Sequence, residues 1–138
     1  MSIQACSSNW KSNGFQIRGL MGSTPSAPAM KLNEYQEKAI STAIYPRTYA
    51  VGTYPVLGLC GEAGEVAEKV KKVIRDKNGI YDPEDVDNIK KELGDVLWYV
   101  ANIAWDFNIP LEKVAEMNIE KLQSRKDRGK LRGSGDDR

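Results

Sequence analysis

Four carboxylates stand in two pairs with the same internal spacing. Glu62 and Glu65 are three residues apart, and Glu92 and Asp95 repeat that interval further along the chain. At ~100° per residue of an α-helix, each pair falls on one face. The residues around both pairs are largely apolar, and carboxylates are rarely buried unless they are paired or bind a metal. The two pairs therefore predict an acidic groove that needs a cationic partner.

The second pair begins a longer polar strip. Asp95, Tyr99, Asn102 and Asp106 fall within a sector roughly 80° wide, with apolar and tryptophan residues on both sides. A solvated helix face would be broader and richer in Lys and Arg. Tyr99 lies one turn beyond Asp95, where its hydroxyl needs a partner, so we expect it at the site.

The absence of histidine restricts the chemistry available to this groove. With no histidine in the chain, a Ser-His-Asp triad and a zinc-histidine site are both excluded. Ligation by oxygen alone favours Mg²⁺, with Mn²⁺ as a possible substitute, and Mg²⁺ commonly takes substrate phosphates as further ligands. The two cysteines offer no disulfide framework and fit a reducing compartment, so we expect a cytoplasmic protein.

The predicted helices also carry basic residues that could bind a phosphate chain. Lys69 and Lys72 share the narrow sector of the first acid pair, although ordinary solvated lysines explain them equally well. Asn118, Lys121 and Arg125 follow one face of a later helix. A lysine as a point charge and an arginine as a bidentate fork suit a polyphosphate.

The global composition excludes several classes of partner. The 138 residues carry 20 basic and 19 acidic side chains, for a net charge of +1, so nothing favours nucleic acid or an anionic membrane. No apolar run approaches the length of a membrane span, and no signal peptide is evident. The length fits one domain with a real core.

The elements that position these residues are all helical. We predict a flexible tail over 1–30, a helical catalytic domain over 31–128 and a polar tail over 129–138. The first helix opens near Leu32 with Asn33 as N-cap and ends at Pro46, and the second runs from about Pro55 to Asp76. The third begins at Pro83 after an Asp82 cap and runs to about Phe107, and the fourth begins over 108–110 and ends near 125–128. A tight turn between the second and third helices predicts an antiparallel pair with facing acids.

Three segments together resemble a known family. They are 61–68 (GEAGEVAE), 92–99 (ELGDVLWY) and 118–122 (NIEKL), and the pattern is similar to that of the MazG-like all-α nucleoside triphosphate pyrophosphohydrolases. The similarity covers roughly 31–138. Gly61 stands where the family pattern often has a further acid, which leaves the four core carboxylates intact.

The resemblance implies a four-helix MazG-like bundle and a set of site residues. It implies Mg²⁺ ligation by Glu62, Glu65, Glu92 and Asp95, phosphate contacts from Lys121 and Arg125, and less securely placed roles for Asn118 and Tyr99. It also implies a homodimer or homotetramer whose subunits complete one another's sites. The implied reaction converts an NTP or dNTP and water to the monophosphate and pyrophosphate, with Glu62 or Glu65 as the general base.

Two alternatives remain open at this stage. The enzyme would be either broad or selective for one dNTP, for example dGTP or dCTP, with the choice made by the first helix and the following loop (Gln36, Tyr45, Tyr49 and Tyr54). A different class of function is a non-catalytic helical module that senses Mg²⁺ or a nucleotide. Clustered acids beside a basic strip favour the enzyme.

Overall fold

A lysine and two aspartates join the two longest helices that the structure describes. The computed structural model describes residues 29–47 and 50–135. It contains α1 (Leu32–Ser41), α2 (Thr53–Lys77), α3 (Pro83–Asp106) and α4 (Leu111–Asp127), with no strand in these ranges. Lys77 ends α2 and donates to Asp82 and Asp85 at the start of α3, at 2.7 Å to each. The predicted all-α class and its four helices are confirmed.

The start of α3 follows local chemistry that the sequence predicts. The Asp82 side chain accepts from the Asp85 backbone N–H, and the Asp85 side chain accepts from the Asp82 N–H, both at 3.0 Å. Pro83 occupies the first turn, where its missing N–H costs nothing. Asn78 and Gly79 take left-handed conformations between α2 and α3, as the predicted turn requires.

The predicted start of α1 near Leu32 is confirmed, whereas its predicted N-cap and its predicted end are wrong. Lys31, not Asn33, is the N-cap, and the helix ends at Ser41 rather than at Pro46. The Thr42 hydroxyl donates to the Ala39 carbonyl at 2.7 Å, an alternative to continuing the helix ladder. The predicted N-terminal tail falls largely on residues 1–28, which lie outside the described residues, as do 136–138 of the predicted C-terminal tail.

Side chains of α1 cap the start of α4. Pro110 at the N-cap of α4 has no side-chain acceptor. Asn33 accepts from the Glu112 N–H at 3.0 Å and Gln36 accepts from the Leu111 N–H at 3.0 Å, so both orphan donors are satisfied. Gln36 also donates to the carbonyls of Ala101 and Ile109, at 3.3 and 3.0 Å. This amide therefore ties α1, α3 and α4 together.

The buried apolar core is made of few and mostly small residues. Its members are Ala39, Val73, Ala101, Ala104 and Leu111, with Tyr35, Trp98 and Val100 packed partly against them. Asn102 is fully buried among them, and it donates to the Trp98 carbonyl at 2.8 Å and accepts from the Tyr45 hydroxyl at 3.1 Å. Many large apolar side chains on α2, α3 and α4 stay exposed, so one chain leaves much apolar surface in water.

Gln36→Ala tests the brace at the start of α4. The substitution leaves the Leu111 N–H and two carbonyls without their partner, and we expect it to lower the free energy of unfolding by about 2 to 4 kcal/mol in urea titrations. Gln123→Ala is the control, because Gln123 bonds only Asp127 on the exposed face of α4. It should change stability by less than about 0.5 kcal/mol. Equal losses in the two variants would contradict the brace.

Candidate metal centre

The packing of α2 on α3 sets which residues face each other. Lys77 meets Asp85 at 2.7 Å, Lys69 meets Glu92 at 3.2 Å, and Gly58 meets the Tyr99 ring. A Cβ on Gly58 would lie 2.1 Å from Tyr99 Cε1, so only glycine allows this close approach. Glu62 lies one turn after Gly58 and is thereby held opposite the acids of α3.

Three carboxylates converge at this point of the interface. Oxygen atoms of Glu62, Glu92 and Asp95 all lie within 4.8 Å of one another. Glu62 and Glu92 are half-buried, and Asp95 is exposed. Carboxylates this close repel one another in a partly buried site, and a hard divalent cation with oxygen ligands relieves that repulsion. The donor set therefore fits Mg²⁺ or Mn²⁺ with coordination positions left for water or phosphate.

Electrostatics agree with this geometry. Burial raises the pKa of Glu62 above its usual value, and the charges of Asp95, Glu92 and Glu65 raise it further. The charged form of the Glu62 carboxylate is thus disfavoured in the folded protein, and a nearby cation would relieve this.

Glu65 stands apart from the cluster of three. It is exposed one turn along α2, near enough for its charge to act on Glu62. The structure therefore brings together three of the four predicted ligands. The metal-ligand role of all four acids, and the catalytic role of Glu62 and Glu65, stay predictions.

A lysine borders the cluster on the side of α2. Lys69 lies 3.2 Å from Glu92, and both side chains are largely shielded, at 33% and 17% exposed. Lys72 instead pairs with Glu68 at 3.3 Å. Of the two lysines that share a sector with the first acid pair, Lys69 is therefore the one at the acids, and its predicted phosphate contact stays a prediction.

Tyr99 lies against the cluster as its position on the strip predicts. Burial raises the pKa of Tyr99 above its usual value, with further contributions from Tyr54 and from the charges of Glu62 and Asp95. The ring packs edge-to-face on Trp98, at 4.9 Å between centroids. The hydroxyl therefore stays protonated beside the acids and is available as a donor.

The residues of the basic strip of α4, Asn118, Lys121 and Arg125, differ in their exposure to solvent. Asn118 and Lys121 are exposed, whereas Arg125 is buried, 5% exposed, and donates to the Gly135 carbonyl at 3.4 Å. Within the described ranges, α4 packs on α1 and α3 and makes no close contact with α2. A single chain thus does not pack this strip against the helix that carries Glu62.

One ionic contact at the end of the polar strip of α3 is not evident from the sequence. Arg47 donates to Asp106 at 2.9 Å from the loop before α2. Asp106 was visible as the last member of the α3 strip, but nothing in the spacing identified Arg47 as its partner. Of the residues predicted to influence base choice, Tyr49 lies outside the described residues, and the Gln36 amide is occupied by its hydrogen bonds to Ile109 and Leu111.

Sequence comparison identifies the family of this helical protein, in which three carboxylates lie together between two packed helices. The family model described as the MazG nucleotide pyrophosphohydrolase domain matches residues 55–129, more than half of the chain. The chain belongs to this family, as its motifs predict. The match spans all four predicted acids and the basic strip.

A phage protein is similar over most of the chain. The gene 37 protein of Mycobacterium phage L5 is 48% identical over 114 residues, which are 79% of this chain and 100% of that protein. Its name states no activity. No solved structure matches the chain significantly. None of the helices in the described ranges has the length and apolarity needed to cross a bilayer.

Glu62→Gln tests whether repulsion among the three carboxylates destabilises the metal-free protein. Because the pKa of Glu62 is raised in the folded protein, its charged carboxylate lowers the free energy of unfolding. This loss of stability is absent well below the usual glutamate pKa, where the group is protonated in both states, and it is complete above the raised pKa. In chelator near neutral pH, we expect the variant to melt a few degrees above the wild type, and this gain should vanish in acid. Saturating Mg²⁺ should raise the melting temperature of the wild type more than that of the variant.

Glu116→Gln provides the control for this measurement. Glu116 is exposed on α4 and pairs only with Lys113, so removing its charge should leave the melting temperature unchanged at both pH values. A Glu62→Gln variant that behaves like this control would show that the carboxylates do not strain the metal-free protein.

Proposed function

We propose that the protein is a Mg²⁺-dependent nucleoside triphosphate pyrophosphohydrolase, with Mn²⁺ as a substitute. The observation that carries the proposal is the convergence of Glu62, Glu92 and Asp95 within 4.8 Å in a chain of the MazG nucleotide pyrophosphohydrolase family. Water attacks the α-phosphorus of an NTP or dNTP. A new P–O bond forms, the bond to the bridging oxygen breaks, and pyrophosphate leaves with that electron pair.

The residues around the cluster divide this work. Glu62, Glu92 and Asp95 hold the metal, and Glu65 takes the proton of the attacking water, with Glu62 as the other candidate base. A bound Mg²⁺ supplies charge neutralisation at the phosphate oxygens and acidifies a bound water. Lys69 exchanges its contact with Glu92 for a phosphate oxygen, and Tyr99 donates a hydrogen bond from its protonated hydroxyl.

The site is completed by a second subunit in this proposal. The order of contacts from Lys77–Asp85 to Gly58–Tyr99 supports an antiparallel α2–α3 pair, and the exposed apolar side chains of that pair support a homodimer or homotetramer. Asn118 and Lys121 are exposed on α4, and in the oligomer they contact the phosphates of a nucleotide bound at the acids of a neighbouring subunit. Arg125 on the same helix is buried and donates to the Gly135 carbonyl, and its predicted phosphate contact stays part of this proposal.

Removal of a ligand carboxylate tests the reaction. Purified protein is incubated with each of the eight common NTPs and dNTPs and Mg²⁺, and the products are resolved. We expect monophosphate and pyrophosphate from the wild type. Glu92→Gln and Asp95→Asn should each lower kcat/KM by ~100-fold or more, because each loses part of the metal's contribution to the transition state.

Two further variants separate the roles of the acids. Glu65→Gln should lower kcat while leaving the Mg²⁺ concentration for half-maximal activity nearly unchanged, as expected of a base that is not a ligand. Glu116→Gln, exposed on α4, should match the wild type. Mg²⁺ binding without turnover of any nucleotide would contradict the enzyme and favour a sensing module.

Subunit complementation tests the shared site. Glu92→Gln and Lys121→Ala are each expected to have little activity alone. When the two variants are coexpressed, they form mixed oligomers. In one site of each mixed oligomer, the Lys121→Ala subunit contributes its intact Glu92 and the Glu92→Gln subunit contributes its intact Lys121, so part of the activity should return. Light scattering should give two or four times the chain mass. A monomer, or mixed oligomers as inactive as their parents, would show that the site is not shared.

A further inference from the structure

A cavity of about 330 Å³ lies where the loop before α2 meets the end of α3. Its walls include Tyr45, Arg47, Tyr54, Trp105 and Asp106. That volume is within the range of small-molecule sites, and aromatic walls are typical of them. Neither metal ligation nor phosphate binding accounts for this cavity.

The polar groups of the cavity are a carboxylate and a guanidinium held side by side. The Asp106 side chain is only 9% exposed, and it accepts from Arg47 Nη1 at 2.9 Å. The Tyr45 hydroxyl, whose one proton is shared with Asn102 Oδ1 at 3.1 Å, lies 3.4 Å from the other Asp106 oxygen. Both Asp106 oxygens keep further lone pairs. The Arg47 side chain is 46% exposed and retains N–H donors beyond the one given to Asp106. The cavity thus offers acceptors and donors next to each other.

The walls offer flat surfaces for stacking. Tyr45 and Tyr54 stack at 4.9 Å with their planes 8° apart, and the Arg47 guanidinium covers Tyr45 at 5.4 Å from the ring centre. Tyr54 is 43% exposed and Trp105 is 45% exposed, so each keeps ring surface for a planar ligand. Aromatic rings of this kind bind nucleobases by stacking.

The cavity is in line with the metal cluster. Tyr54, Gly58 and Glu62 follow one another at single-turn spacing on α2, so the cavity wall is about 12 Å from the cluster along the helix axis. On α3, Asp106 continues the strip that contains Asp95 and Tyr99. A nucleotide with its phosphates at the cluster would extend its base along this strip toward the cavity.

We propose that this cavity is a base subsite that selects guanine, through Asp106 and Arg47. The inference rests on the proposed nucleotide hydrolysis. Guanine presents two adjacent donors, N1–H and the N2 amino group, to the carboxylate, and its neighbouring O6 acceptor to the guanidinium. Adenine and cytosine offer a single amino group, and thymine and uracil offer one N–H between two carbonyls. Guanine matches the order of groups most fully.

Steady-state kinetics with the four dNTPs test the subsite. We expect the highest kcat/KM for dGTP, and Asp106→Asn should lower it about 10- to 100-fold while changing the value for dTTP little. Asp87→Asn is the matched control, because Asp87 is an exposed acid of α3 that pairs with Lys90. Tyr54→Ala should lower all four values by a similar factor of about 5 or more, since stacking does not depend on base identity.

Direct binding separates this inference from the hydrolysis on which it rests. Calorimetry with dGMP, dAMP, dCMP and dTMP in chelator needs no turnover, and we expect dGMP to bind most tightly and to lose that advantage in Asp106→Asn. Selective dGMP binding without hydrolysis of any triphosphate would overturn the proposed reaction and keep the subsite. Hydrolysis with equal kcat/KM for all four dNTPs, or a preference for another base, would overturn the guanine subsite alone.

Discussion

Repulsion among carboxylates is the constraint around which the α2–α3 pair is built. Glu62, Glu92 and Asp95 are held within 4.8 Å of one another, although burial and mutual charge already raise the pKa of Glu62. The helices are prevented from relaxing apart by contacts on both sides of the cluster, the Lys77 bridge at one end and the Tyr99 ring against Gly58 at the other. A divalent cation would neutralise this fixed negative charge, so in the proposed enzyme the electrostatic cost of the metal-free fold would add to the affinity for the metal.

Polar braces take on part of the work that a larger core would do. The buried apolar residues are mainly alanines, and each buries little surface. Gln36 and Asn102 instead connect α1, α3, α4 and the loop after α1 through directed hydrogen bonds. Bonds of this kind specify geometry more than they add net stability, because on folding they replace bonds to water; removing one partner is costly because the other is left buried without a bond. The exposed apolar side chains stay on the surface of the single chain, and the proposed oligomer would cover part of them.

What could be predicted from the sequence was the part governed by local chemistry. The end of α2 and the start of α3 follow from the left-handed turn at 78–79 and from Asp82 and Pro83. Helical periodicity predicts facing acids, and the structure brings Glu62, Glu92 and Asp95 together while Glu65 stays apart. Asn33 was assigned to the wrong helix, because a cap can serve a helix distant in sequence and spacing does not reveal which one. The Arg47–Asp106 pair was invisible for the same reason, since it depends on how the loop folds over α3.

The polar strip of α3 shows how surroundings give like residues different tasks. Asp95 and Asp106 lie on one face, yet Asp95 meets other carboxylates and Asp106 meets a guanidinium and a phenol. The first environment calls for a metal, and the second leaves a satisfied carboxylate with lone pairs to spare. Between them, Asn102 is buried as a brace and Tyr99 borders the cluster. Because both acids lie on one rigid helix, the distance between them is fixed. In the proposed enzyme this distance sets the spacing between the site for the phosphates and the site for the base.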